Sequence, residues 1–155
     1  MGVDFNADEI FEMAETMERN GAKFYRAAAK SIGSDLSRLF LELAAMEDSH
    51  LETFSRMRRA LASEGKPPTE EAAAYLKALV GARVFERDPA LEVSGKSGAS
   101  EALRMALRLE EDSIAFYLGM KRAAPPRSGG EKIEKIIEEE MRHVALLAGR
   151  LAQMN

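Results

Sequence analysis

Two short strings carry the residues that could do chemistry in this chain: Glu47-Asp48-Ser49-His50 and Glu140-Met141-Arg142-His143. They contain its only two histidines, each three residues after a glutamate. On a helix, residues i and i+3 share a face, so each string points a carboxylate and an imidazole the same way. Such a pair can hold one edge of a metal site. Two further glutamates, Glu18 and Glu110, interrupt otherwise apolar helical faces, and each has a tyrosine seven residues later, Tyr25 and Tyr117.

Four long helices must position these groups. The first opens with Asn6 as cap and Glu9 three residues on, the spacing of a capping box, flanked by Phe5 and Ile10 as a hydrophobic staple. Phe11, Ala14, Glu18, Gly21, Ala22, Tyr25 and Ala28 recur at helical spacing, and the helix is predicted to run to about Ser31, with Gly33 ending it. Ser34 is the expected cap of the second helix. Its face is Leu36, Leu39, Phe40, Leu43, Glu47, His50, Leu51, Phe54 and Leu61, and it should stop near Ser63, before Gly65-Lys66-Pro67-Pro68. Residues 66–98 read as a long connection, with Thr69 capping a short helix from Glu70 to about Val80 and a Ser/Gly-rich loop at 94–98. The third long helix starts near Ser100, presents Leu103, Ala106, Leu107, Glu110, Ile114 and Tyr117, and ends at Pro125-Pro126. Ser128 and Glu131 have capping-box spacing for the fourth, whose face is Ile133, Ile136, Glu140, His143, Val144, Leu147 and Leu151.

The two halves repeat: Glu then Tyr on one helix, Glu-x-x-His on the next. The chain is therefore expected to be two similar hairpins, and a connection as long as 66–98 can cross the length of a bundle. Heights agree. At about 1.5 Å per residue, Glu18 and Glu47 both stand roughly 21–22 Å from the first turn, and Glu110 and Glu140 roughly 18–22 Å from the second.

Composition narrows the function classes. The chain has 155 residues, 46% apolar and 31% charged, and is rich in helix formers, which fits one all-α domain over 1–155. A net charge of −4 argues against a nucleic-acid groove. Without cysteine there is no disulfide, thiolate-ligated metal or thiol nucleophile. No uncharged apolar stretch approaches a membrane span and the N-terminus does not read as a signal peptide, so a cytoplasmic protein is expected.

Four glutamates on the inner faces of a bundle are costly, because burial and mutual repulsion both oppose ionisation. Two divalent cations remove the cost, since four carboxylates and two neutral imidazoles balance them. A mixed carboxylate–imidazole set suits iron or manganese; affinity alone would not select these over zinc.

The chain resembles the ferritin-like dimetal carboxylate bundles over nearly its whole length, and within them the rubrerythrin-type diiron proteins. Met17-Glu18-Arg19-Asn20-Gly21-Ala22-Lys23-Phe24-Tyr25 and Leu39 to His50 carry the likeness best. The resemblance implies a ferritin-like four-helix bundle of two hairpins joined by a long crossover with a short extra helix. It implies two iron ions, with Glu47 and Glu140 bridging, Glu18 and His50 completing one position, and Glu110 and His143 the other. Tyr25 and Tyr117 would orient or donate to the ligating carboxylates. Glu139, just before Glu140, is a candidate hydrogen-bond partner for a histidine.

The implied activity is reduction of peroxide or dioxygen with electrons from an external donor such as a rubredoxin-like protein, because this chain lacks the cysteines of a rubredoxin centre. Ser113 stands where rubrerythrins carry an additional carboxylate, and Asp48 where bacterioferritin has its haem-ligating methionine. The alternative is non-catalytic iron binding or storage, which a missing fifth helix disfavours. A homodimer is expected, with exchange of hairpins through 66–98 as one route to it.

Overall fold

The computed structural model describes residues 6–61, 69–80, 98–123 and 129–154, apart from the side chains of Ser34 and Leu61. Five helices occupy them: α1 (Ala7–Ala29), α2 (Ser34–Leu61), α3 (Glu70–Leu79), α4 (Ala99–Ala123) and α5 (Gly129–Gln153). The architecture is the all-α bundle of two hairpins that the sequence predicts.

Local signals start α1 and α3. The Asn6 side chain accepts from the Glu9 backbone N–H at 2.8 Å, and the Glu9 carboxylate accepts from the Asn6 N–H at 3.2 Å, completing the capping box. Thr69 caps α3 through Ala72. Two expectations need correction. The first helix stops at Ala29 rather than about Ser31, because its last turn tightens to i→i+3 bonds, Lys30 N–H to Ala27 O and Ser31 N–H to Ala28 O. Ser34 is not the cap of α2 but its first helical residue; the Gly33 carbonyl accepts the first bond, from Ser37 at 2.8 Å. The expected staple at Phe5, the stop near Ser63, the 94–97 loop, the Pro125-Pro126 terminator and the Ser128 cap lie outside the described residues.

The core has two apolar clusters with a polar layer between them. One gathers the N-terminal halves of α1 and α5 and the C-terminal halves of α2 and α4 around Phe11, Phe54, Phe116, Met120 and Ile133, with Leu76 of α3. The other gathers the opposite ends around Phe24, Phe40, Leu43, Leu103 and Leu147. Hence α1 runs parallel to α5, and α2 parallel to α4. It follows that α2 ends and α4 begins at opposite ends of the bundle; of the connection between them, residues 69–80 and 98 are described. Within the sides of the bundle, α1 packs on α2 and α4, and α5 on α4 and α2. The short α3 lies on α4, where the Tyr75 hydroxyl donates to Ala115 O at 2.7 Å.

The hairpin α1–α2 is also tied by charge. Arg58 donates to Asp8 at 2.7 and 2.9 Å and to the buried Glu15 at 3.2 Å; Glu15 in turn accepts from Arg19 at 3.1 Å. Glu15 is thus a buried carboxylate with partners of its own, separate from the polar layer. Among the described residues, no helix is long and apolar enough to cross a membrane.

Candidate metal centre

The polar layer consists of the residues singled out in the sequence. Glu18 on α1, Glu47 and His50 on α2, Glu110 on α4, and Glu140 and His143 on α5 are all buried. They form two overlapping groups, Glu18/Glu47/His50/Glu140 and Glu47/Glu110/Glu140/His143. Within each group every residue offers one ligand atom within 4.8 Å of the others. Glu47 and Glu140 belong to both. Each oxygen of Glu140 faces one histidine, Oε1 to His50 Nδ1 and Oε2 to His143 Nδ1, both at 3.1 Å.

The outer glutamates are arranged alike. His50 Nδ1 lies 3.5 Å from Glu18 Oε1, and His143 Nδ1 lies 3.3 Å from Glu110 Oε1. Each of these oxygens also accepts from a tyrosine of the other hairpin. Tyr117 donates to Glu18 Oε1 and Tyr25 to Glu110 Oε1, both at 2.5 Å. Tyr117 belongs to one apolar cluster and Tyr25 to the other, so the two phenols close the layer from opposite ends. The sequence places a tyrosine and a glutamate on each helix; the structure pairs them crosswise. His50 Nε2, pointing the other way, meets Glu139 Oε2 at 2.7 Å, as the position of Glu139 suggests.

The electrostatics are those of acids crowded out of water. Burial pushes Glu18 and Glu47 well above the usual carboxylate range; the charges of neighbouring carboxylates add to it, while at Glu18 hydrogen bonds with Glu47 and Tyr117 work the other way. Burial and then the charge of Glu140 lift Glu110 to about 8. Glu140 is the exception: burial opposes its ionisation, but hydrogen bonds with Glu110, His143 and His50 hold it below its ordinary value. Burial opposes charge on the imidazoles too, yet Glu140 and its neighbours outweigh it at His50, raised to about 9, and Glu110 and Glu140 do so at His143, raised to about 10. Both tyrosines are raised by burial and the adjacent carboxylates, so they remain donors.

The donor set fits metal ions. Oε2 of Glu18 and of Glu110 is buried with no hydrogen-bond donor. An unsatisfied buried carboxylate oxygen is expensive, and a divalent cation satisfies it directly. Gly21 lies against Glu47, where a Cβ would make ordinary van der Waals contact, 3.4 Å from the carboxylate carbon. All the donors are carboxylate oxygen or imidazole nitrogen, the set suited to iron, manganese or zinc. The sequence reading missed Glu15; its spacing to Arg19, one helical turn, was the available signal.

Comparison with known proteins agrees with the architecture. A crystal structure of a candidate ferritin-like diiron-carboxylate protein from Thermotoga maritima superposes with a TM-score of 0.77 over 100% of both chains, at 22% identity. At that identity the likeness is one of fold. A comparison with curated proteins gives no match. The rubrerythrin family model matches residues 9–88, which include Glu18, Tyr25, Glu47 and His50. The match covers just over half of the chain, and the chain belongs to the rubrerythrin family, with the ferritin-like fold.

Proposed function

We propose that the chain is a diiron oxidoreductase that reduces peroxide or dioxygen with electrons from an external donor. The observation that carries this reading is the pair of overlapping Glu/His groups sharing Glu47 and Glu140. In it, Glu47 and Glu140, common to both groups, would serve both iron ions, with Glu18 and His50 holding one and Glu110 and His143 the other. Manganese and zinc suit the same donors by ligand type, and family membership favours iron.

Iron held there would supply the electrons that cleave an O–O bond. The remaining work falls to the chain. Tyr117 and Tyr25 hold Oε1 of Glu18 and Glu110 and so leave Oε2 of each for a cation. Their phenolic protons, retained by burial, are acids already in contact with the cluster. The apolar clusters on either side keep bulk water out of the layer. With Ser113 in place of an additional carboxylate, the reaction runs on the six-residue set. These 155 residues carry no cysteine to hold a thiolate-ligated iron centre, so in this reading electrons come from an external donor, for which a rubredoxin-like protein is the natural chemical class. A homodimer, with or without exchanged hairpins, and a cytoplasmic setting complete the reading.

The test is anaerobic stopped-flow oxidation. Reduced, iron-loaded protein mixed with hydrogen peroxide should be oxidised faster than free Fe(II), consuming about one peroxide per two Fe(II), because O–O cleavage takes two electrons. Reductant should restore the ferrous state repeatedly with the iron count unchanged. Further iron uptake at each oxidation would favour storage instead. Oxidation no faster than for free Fe(II), or loss of iron after one turnover, would refute the enzymatic reading.

A further inference from the structure

The four glutamates, two histidines and two tyrosines of the polar layer repeat between the hairpins, but Glu139 does not. Glu139 precedes Glu140 and stands four residues before His143; its counterpart in the first hairpin, preceding Glu47 and four residues before His50, is Met46. The carboxylate of Glu139 crosses from α5 to α2 and meets His50 Nε2 at 2.7 Å. By the repeat, the residue placed to do the same for His143 is Met46, a half-buried thioether and at best a weak acceptor. Among the described residues, the carboxylates paired with His143 are Glu110 and Glu140, both at Nδ1.

This difference bears on metal affinity. Nδ1 of each ring faces the carboxylate cluster, so a coordinating imidazole must carry its proton on Nε2. A carboxylate accepting that N–H selects the tautomer, fixes the ring plane and raises the basicity of the ligating nitrogen. His50 has this support, and among the described residues His143 has none of the kind. At Nδ1 the two rings are nearly equivalent, with contacts of 3.1 and 3.5 Å for His50 and 3.1 and 3.3 Å for His143.

We infer that the two metal positions are unequal, with Glu139 acting as a positioning residue that makes the Glu18/His50 position the tighter one and the first to fill. The inference rests on the metal-binding reading above. Loss of such a partner typically weakens metal affinity about 10–100-fold.

The chain's two histidines make the order of filling directly visible. Protein carrying ¹⁵N-labelled histidine is titrated with Zn(II), a diamagnetic probe, and followed by NMR, with a calorimetric titration in parallel. In the wild type the His50 nitrogens should shift before those of His143. Glu139→Met should lower the first affinity about 10–100-fold and remove the order. Glu139→Gln, which keeps the side-chain shape, should give a smaller loss of the same kind. Met46→Glu should raise the second affinity, and the double exchange Glu139→Met/Met46→Glu should make His143 respond first. A merely structural role for Glu139 would not reverse the order. Simultaneous shifts in the wild type, or an order unchanged in the double exchange, would overturn the inference while leaving a two-metal site standing. No binding of Zn(II), with Fe(II) also failing to bind, would overturn the metal reading and this inference with it.

Discussion

Glu18 and Glu110 each hold one oxygen on a tyrosine from the opposite hairpin and leave the other oxygen without a donor. A carboxylate built only for packing would have both oxygens satisfied or would lie at the surface. Tyr25→Phe and Tyr117→Phe remove the held contact and keep the ring. Neither phenol is a proposed ligand, so both variants should still bind metal by calorimetric titration, while the rate of peroxide oxidation changes and thermal stability falls. Loss of both ions in either variant would place the phenols among the ligands. Glu47→Ala should weaken both ions, because Glu47 belongs to both groups, whereas His50→Ala should weaken mainly one; the same titration separates them. The six charged residues of the layer were legible in sequence because each breaks an apolar face or sits one turn from another of the set. The crossed tyrosines were not. Seven residues along one helix is about 10 Å of rise, so which neighbour the phenol reaches depends on packing that periodicity does not encode.

Helix α3 shows what an element-scale reading can and cannot supply. Its Thr69 cap and its extent were readable, because capping is local. Its seat on α4 was not, because it depends on one glycine far along the chain. A Cβ on Gly119 would stand 2.5 Å from the Tyr75 ring and 2.9 Å from Leu76, both on α3. Gly119→Ala gains helix propensity of roughly 0.5–1 kcal/mol. Overpacking usually costs about 1–3 kcal/mol, and here the crowded group is a ring anchored by its hydroxyl to Ala115 O. Overpacking should win: the variant should melt lower, and amide exchange should quicken in α3 before it does in α1. A melting temperature at or above the wild type would show that α3 moves aside without cost. The ends of α1 and α2 differ from expectation by a residue or two because the turn between them tightens and the Gly33 carbonyl starts the second helix, details set by backbone bonds rather than by residue type.

In the whole molecule, the polar layer should give the metal-free and metal-loaded protein opposite responses to pH. Without metal, the folded state keeps protons that the unfolded chain releases. His50 and His143 lie at about 9 and about 10 against an ordinary 6.5, so their contribution to stability is full below pH 6.5 and is lost as pH rises through those values. Glu110, at about 8 against 4.5, adds a loss that begins above pH 4.5 and is complete past about 8. Metal binding needs these groups deprotonated, so it strengthens as pH rises and fails in acid. At about a hundredfold excess over Kd, each bound ion adds roughly 2.7 kcal/mol. Melting curves with metal and with chelator should therefore diverge from pH 5 towards pH 9; parallel curves would mean that these groups are not the ligands. The two-hairpin plan was legible because the repeat is a property of the whole sequence. The central claim, that the six residues hold a pair of ions between the hairpins, is tested most directly by an anaerobic Fe(II) count after gel filtration. Wild-type protein should retain about two ions per chain and Glu140→Ala far fewer. A wild type that retains one ion or none under metal-replete conditions, or a Glu140→Ala protein that retains the full pair, would contradict it.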